Sequence, residues 1–130
     1  MPTPEGLRAF HGKHRQRLDN MAYVHIIDDE ESIRFTLKAF LAAEGHDVFV
    51  ANDFQQGIRN IQSHPTDVVF LDILLEDDSG LDLLKWIKEQ EIECAPILIT
   101  GQPSFETAQA AVRLDAFDYI TKPLRKDTLL

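Results

Sequence analysis

Residues 22–32, AYVHIIDDEES, join a short apolar run to four consecutive acidic residues, after which a helical pattern begins. The apolar run, residues 22–27, is rich in β-branched and aromatic side chains, which is typical of a strand buried between two layers of helices. A cluster of like charges gains nothing for folding by itself. The stretch therefore predicts a strand whose carboxyl end carries acids for a reason other than packing.

The same alternation of strand and helix continues along the chain. Four further segments have the composition of buried strands, namely 46–51, 67–72, 95–100 and 117–120. Between them, apolar residues recur every three or four positions, which is the period of an amphipathic helix. Helix starts are indicated by Asp53 with Gln56, a capping-box pattern, and by Ser104. Because such alternating elements connect through right-handed crossovers, we predict an α/β fold with a doubly wound parallel sheet.

Composition limits the class of protein. A chain of 130 residues that is 44% hydrophobic is long enough for one domain with a real core. No apolar stretch approaches the roughly 20 residues of a membrane span, and the N-terminus lacks the apolar core of a secretory signal. We therefore expect a cytoplasmic protein without a membrane partner. The single Cys94 and the irregularly spaced histidines argue against a disulfide and a zinc site.

Charge divides the chain into two parts. Residues 1–20 carry four Lys or Arg against two acids, whereas residues 21–130 carry nine against twenty, a net charge of −11. Such an acidic domain repels nucleic acid, so we predict no direct nucleic-acid binding. The basic residues 1–20 are predicted to be an N-terminal extension. A cap-plus-proline start and an apolar stripe favour a helix over 4–19, with a disordered leader as the alternative.

Polar side chains stand at four of the predicted strand ends. Asp28 and Asp29 follow the first strand, Asp72 closes the third and Thr100 closes the fourth, while Lys122 follows the fifth by two residues. In an open parallel sheet, ligands bind outside the carboxyl ends of the strands, where the strand order reverses. These five side chains are therefore expected to gather at one edge of the sheet.

Simpler roles exist for some of these residues. Asp29 or Glu30 could cap the following helix, Thr100 could be an ordinary strand residue, and Lys122 precedes a proline and could belong to a plain loop. Capping explains Asp72 poorly, because an apolar segment and not a helix follows it. A lysine directed at the carboxylates of Asp28, Asp29 and Asp72 would balance their charge, so the combination favours a joint role.

Four motifs, IIDDEES, DVVFLDILLEDDSGLDLL, PILITG and FDYITKP, occur in this order within residues 21–126. Together they resemble the receiver domain of two-component response regulators, the superfamily of chemotaxis-regulator-like receivers. The resemblance implies a flavodoxin-like (βα)5 fold with strand order 2-1-3-4-5. Residues 21–130 would form this domain, and the fifth helix would be truncated at RKDTLL.

The resemblance also implies a phosphorylation-dependent signalling switch. Asp72 would accept a phosphoryl group from a sensor histidine kinase or a phosphotransfer protein. Asp29, Asp72 and the backbone carbonyl of Leu74 would ligate Mg²⁺, and Asp28 would hold the ion through water. The physical chemistry agrees, because carboxylates about 4 Å apart repel by about 4 kcal/mol per pair at a protein-like dielectric. Mg²⁺ is a hard ion that prefers such oxygen ligands.

Further roles follow from the same resemblance. Thr100 and Lys122 would bind the phosphoryl oxygens, and Tyr119 would change rotamer as Thr100 moves. The surface of the fourth helix, about 104–114, and the fifth strand would then be remodelled to control an output domain, a downstream partner or pairing with a second copy. Leu74 cannot orient a water molecule, so we predict a long-lived phosphoryl group.

Two other functions stay open at this point. One is an Mg²⁺-dependent phosphohydrolase with Asp72 as nucleophile, although such enzymes commonly carry a second acid where this chain has Leu74. The other is an interaction module that works without phosphorylation, which the complete set of site residues disfavours. The receiver interpretation predicts no turnover enzyme, only self-catalysed phosphotransfer and autodephosphorylation. Glu76, where the family often has proline, indicates a solvated acidic turn.

Overall fold

A five-stranded parallel sheet with helices between successive strands organises the described part of the chain, residues 21–75 and 79–124 of a computed structural model. Its elements in order are β1 (Tyr23–Ile27), α1 (Glu31–Ala43), β2 (Asp47–Ala51), α2 (Phe54–Ser63), β3 (Val68–Asp72), α3 (Gly80–Glu89), β4 (Ala95–Thr100), α4 (Phe105–Arg113) and β5 (Asp118–Thr121). The strands lie in the order β2-β1-β3-β4-β5, and neighbouring strands are parallel. The predicted strand order and doubly wound architecture are confirmed.

Some sequence-based predictions concern residues outside this described part. They are the helix over 4–19, the acidic turn at Glu76, and the truncated fifth helix at 125–130. The division of the chain into an extension of residues 1–20 and a domain of residues 21–130 also stays a prediction. Within the described residues, no helix has both the length and the apolar character needed to cross a lipid bilayer.

Two apolar layers cover the two faces of the sheet. On one face, side chains from β1, β3 and β4 pack against α3 through Ile27, Leu71, Leu98, Leu83, Leu84 and Ile87. On the other face, the alternate residues of the same strands pack against α1 through Val24, Ile26, Phe70, Ile99, Leu37 and Leu41. Burial on both faces explains why these strands read as nearly continuous apolar runs.

The starts of α2 and α4 follow the predicted capping patterns. Asp53 Oδ1 accepts a hydrogen bond from Gln56 N at 2.8 Å, and Ser104 Oγ accepts one from Thr107 N at 3.1 Å. The start of α1 differs, because Glu30 occupies the N-cap position without a capping hydrogen bond from its side chain. The simple capping role considered for Glu30 is therefore wrong.

Candidate functional site

The parallel topology brings the predicted site residues to one edge of the sheet. Asp28 follows β1, Asp72 ends β3, Thr100 ends β4, and Lys122 follows β5, and these four strands are neighbours in the sheet. Asp28, Asp72 and Thr100 are exposed by only 0%, 3% and 1%. Burial of charged groups is costly unless they are compensated, so this edge needs a cation or a set of hydrogen bonds.

Three carboxylates form a cluster at this edge. Oxygens of Asp28, Asp29 and Asp72 all lie within 4.8 Å of one another, with Asp29 exposed and the other two buried. Asp28 Oδ2 is buried and forms an ion pair with Lys122 Nζ at 3.2 Å, but no group in the described part of the chain donates a hydrogen bond to it. A buried carboxylate oxygen with an unused lone pair, beside two further carboxylates, fits a hard divalent cation such as Mg²⁺.

The electrostatics of the cluster oppose full ionisation. Burial and then the charge of Asp28 raise the pKa of Asp72 to about 6, although the Lys122 ammonium acts in the opposite direction. Burial likewise raises the pKa of Asp28. Because an added positive charge favours ionised carboxylates, a bound cation would bring both groups back to their charged forms.

Lys122 supplies a positive charge in direct contact with two of these acids. Its Nζ lies 3.2 Å from Asp28 Oδ2, 3.3 Å from Asp72 Oδ2 and 2.5 Å from Glu30 Oε1. Its backbone N–H donates to the carbonyl of Thr100 at 2.8 Å, which fixes the start of the side chain next to β4. Burial alone would lower the pKa of Lys122, but the bond to Glu30 and the charges of Asp28 and Asp72 raise it above its usual value.

Glu30 is the site residue that the sequence analysis missed. The expected third partner of Lys122 was Asp29, whereas the structure places Glu30 there. The signal was present, since Glu30 belongs to the same acidic run as Asp28 and Asp29. Its position ahead of α1 pointed instead to a helix cap.

Hydrogen bonds from backbone N–H groups orient the other site groups. Asp72 Oδ1 accepts from Leu74 N at 3.1 Å, and Asp72 Oδ2 faces Lys122. Thr100 Oγ1 accepts from Gln102 N at 3.0 Å, so its hydroxyl proton can be donated to another acceptor. The two oxygens of Asp72 therefore differ: Oδ1 accepts a backbone hydrogen bond, and Oδ2 lies next to the Lys122 ammonium.

Tyr119 lies one strand away and contacts the start of α4. Its register partner in β4 is Leu98, two residues before Thr100. Its hydroxyl is 2.7 Å from Thr107 Oγ1 and 3.4 Å from Ser104 N, which donates to it. The half-buried ring therefore links β5 to the first turn of α4.

The family model described as "Response regulator receiver domain" matches residues 24–130. The chain belongs to this family. Receiver domains of response regulators are phosphorylation-dependent signalling switches. The resemblance stated from the four sequence motifs is therefore confirmed, and so is the function that it implied at the level of the family.

Individual relatives agree with this assignment. A putative NtrX-like response regulator of Rickettsia typhi is 39% identical over 109 residues, which cover 82% of this chain and 23% of that relative. This receiver thus spans about a quarter of the relative's length. A CheY-like receiver domain protein of Methanospirillum hungatei JF-1 superposes with a TM-score of 0.80 at 27% identity, covering 85% of this chain and 88% of that one.

A third similar protein contains a phosphorylated aspartic acid. It is a response regulator of Burkholderia pseudomallei, solved with a phosphorylated aspartic acid, a calcium ion and citrate. It is 26% identical to this chain with a TM-score of 0.78, and the match covers 83% of this chain and 64% of that one. Aspartate phosphorylation thus occurs in a protein that shares this fold.

Proposed function

We propose that Asp72 is the phosphoacceptor of this receiver domain and that a phosphohistidine of a sensor histidine kinase or phosphotransfer protein is the donor. The observation that supports this most strongly is the setting of the Asp72 carboxylate. It is buried at a strand end, 3.3 Å from an ammonium group and within 4.8 Å of two other carboxylates. The phosphorylated aspartic acid of the Burkholderia pseudomallei protein supports the same assignment.

The residues suggest how the transfer proceeds. Asp72 Oδ2 attacks phosphorus and forms an acyl phosphate, while the P–N bond to the donor histidine breaks and the imidazole leaves. Phosphoryl transfer has a loose transition state, so positioning and charge provide most of the catalysis. The Leu74 N–H holds Asp72 Oδ1 in place, and the Lys122 ammonium stands beside the attacking oxygen. Lys122 and Thr100 then bind the phosphoryl oxygens.

Asp28, Asp29, Asp72 and the backbone carbonyl of Leu74 would hold Mg²⁺, with Asp28 acting through water. When bound, the ion offsets the repulsion of the carboxylates and neutralises charge on the phosphoryl oxygens. The buried oxygen Asp28 Oδ2, which accepts no hydrogen bond from the described residues, supports this assignment. We propose a switch without substrate turnover, acting in the cytoplasm.

The acyl phosphate carries roughly −1.5 to −2 charges where the carboxylate carried at most −1, and it brings new acceptor oxygens to Asp72. Thr100 would donate its hydroxyl proton to the new acceptor, and Tyr119 would turn into the space that Thr100 leaves. The surface of α4 and β5 would change with it. Large apolar side chains, Phe105, Val112 and Phe117, are exposed in or next to these elements. They would meet an output domain, a downstream partner or a second copy of the chain.

The acceptor assignment is tested by incubation with acetyl phosphate and Mg²⁺, followed by intact mass measurement and peptide mapping. We expect one phosphoryl group on Asp72 of the wild-type protein and none on Asp72→Asn. A persistent single acyl phosphate supports the switch. Continuous release of phosphate would instead support the phosphohydrolase, and absence of any modification would support the interaction module.

Leu74 is expected to prolong the lifetime of the phosphoryl group. The residue is 51% exposed, two positions after the acceptor, and its side chain cannot hydrogen-bond a water molecule for in-line attack. We expect a half-life longer than about a minute for the wild-type acyl phosphate. Leu74→Asn should shorten it several-fold, because an amide can orient water. Decay is followed by intact mass after removal of the donor, and equal decay rates in the two proteins would contradict this role.

A further inference from the structure

Glu30 directs its side chain towards the site instead of its own helix. As the N-cap residue of α1 it makes no side-chain capping hydrogen bond, although this position commonly uses one. Its Oε1 instead lies 2.5 Å from Lys122 Nζ, a contact between residues 92 positions apart in sequence. Among the described residues, Lys122 forms three ion pairs, and this one is the shortest. The side chain is therefore committed to a tertiary contact with a site residue.

The three acidic partners of Lys122 differ in how easily they can release it. The side chains of Asp28 and Asp72 are exposed by 0% and 4%, whereas that of Glu30 is 54% exposed. A buried carboxylate that loses its cation is left without compensation, which is costly. An exposed carboxylate returns to water at small cost. Glu30 is thus the partner that can leave.

A second cation close to Glu30 has another bonding partner. Arg34 lies in the first part of α1, and its Nη1 donates to the carbonyl of Asp28 at 2.7 Å. The Arg34 guanidinium is thus engaged with the backbone. The Glu30 carboxylate, by contrast, pairs with Lys122 in the segment after β5.

We propose that Glu30 is a positioning residue that holds the Lys122 ammonium in the unphosphorylated domain and yields it when a phosphoryl oxygen arrives at Asp72. This proposal rests on Asp72 being the phosphoacceptor. The exchange replaces one ion pair of Lys122 by another and requires no further covalent step. An anionic phosphodonor must then compete with the Glu30 carboxylate for the ammonium before transfer.

Competition of this kind weakens donor binding in the ground state and the transition state equally, so it changes the half-saturating donor concentration and not the limiting rate. The initial rate of Asp72 phosphorylation is measured against acetyl phosphate concentration at saturating Mg²⁺. For Glu30→Gln we expect the half-saturating concentration to fall by roughly two- to five-fold, the range of an exposed ion pair. The limiting rate should stay as in wild type.

Two matched variants distinguish a positioning role of the Glu30 side chain from a general effect of negative charge near the site. Glu31→Gln removes the same charge from the next residue, which is also exposed, and should leave the half-saturating concentration unchanged. Glu30→Asp keeps the charge but shortens the side chain by one methylene, so it should follow Glu30→Gln. Thermal unfolding of each variant checks that the fold is retained.

Several results would overturn the role of Glu30. These are an unchanged or higher half-saturating concentration in Glu30→Gln, an equal fall in Glu31→Gln, or wild-type behaviour of Glu30→Asp. Absence of phosphorylation in the wild-type protein would overturn the acceptor assignment instead. The two failures are therefore distinguishable.

Discussion

Asp72→Asn is expected to raise the free energy of unfolding of the metal-free domain by about 2 kcal/mol near neutral pH, although it removes the proposed phosphoacceptor. Burial and the neighbouring charge of Asp28 raise the pKa of Asp72 from its ordinary value of 3.8 to about 6. Keeping this carboxylate ionised in the folded state therefore costs roughly 3 kcal/mol at neutral pH. Asparagine removes that cost and can still accept the hydrogen bond from Leu74 N, but it loses the attraction to Lys122.

The sign of the pH dependence follows from the raised pKa. The contribution of Asp72 to stability is fully present below its unfolded-state pKa of about 4 and is lost as the pH rises through about 6. Asp72→Asn has no carboxyl group at this position, so its stability does not fall for this reason as the pH rises. His25, whose pKa is lowered to about 4 chiefly by burial, has the opposite slope in the same range. Because His25 is present in both proteins, the difference between them reports Asp72 together with its interaction with Asp28.

Urea unfolding at a series of pH values in EDTA measures this difference. We expect the two proteins to converge near pH 4, to diverge as the pH rises from about 4 to about 6, and to differ by a constant amount at higher pH. Asp82→Asn, a change at an exposed acid of α3, is the control and should alter stability by less than about 0.5 kcal/mol. Saturating Mg²⁺ should favour the wild-type protein, because a ligand stabilises the state that binds it. Destabilisation by Asp72→Asn without metal, at neutral pH, would contradict this account.

The fold and most of the site geometry were predictable because they depend on local patterns and a topological rule. The strand predicted at 22–27 is Tyr23–Ile27, and the strand predicted at 95–100 is Ala95–Thr100. Their apolar composition and flanking helix signals set these limits locally. Once the strands are parallel, their carboxyl ends share one edge, so the proximity of Asp28, Asp72 and Lys122 follows without knowledge of any side-chain contact.

The side-chain partners were not predictable in the same way. Glu30 stands where a helix cap is expected, and its bond to Lys122 depends on how α1 and the segment after β5 meet in three dimensions. The contact of the Tyr119 hydroxyl with Thr107 depends in the same way on the packing of α4 against β5. The spacing of apolar residues in the sequence shows which face of a helix or strand is buried. These contacts depend instead on the distances between helices and strands in the folded chain.

Gly80→Ala is expected to destabilise the domain by about 3 kcal/mol or more and to impair phosphorylation of Asp72. Gly80 begins α3 and is buried, and a Cβ at this position would lie 1.9 Å from the carbonyl oxygen of Asp72. It would also lie 2.9 Å from Ile73 Cα. Both contacts are with backbone, which cannot move aside as a side-chain end can. Either the start of α3 or the end of β3 must shift.

The local hydrogen bonds make this shift costly for the site. Gly80 N donates to the carbonyl of Ile73 at 2.8 Å, and Leu74 forms a bridge with Ser79. These bonds fix the segment whose Leu74 N–H holds Asp72 Oδ1. Moving the carbonyl of Asp72 away from an added methyl group therefore also moves its carboxylate relative to Lys122, and small displacements of reacting groups reduce rates strongly.

Gly57→Ala provides the matched control. Its Cβ would meet Ile27 Cδ1 at 2.8 Å, but that atom is the end of a flexible side chain. Gly57 also lies inside α2, where alanine is favoured over glycine by about 1 kcal/mol, so the net change should be small. Urea unfolding and the rate of phosphorylation by acetyl phosphate are measured for both variants at a temperature where each is folded. If Gly80→Ala matched Gly57→Ala in both, the approach of α3 to the Asp72 carbonyl would not be what positions the acceptor.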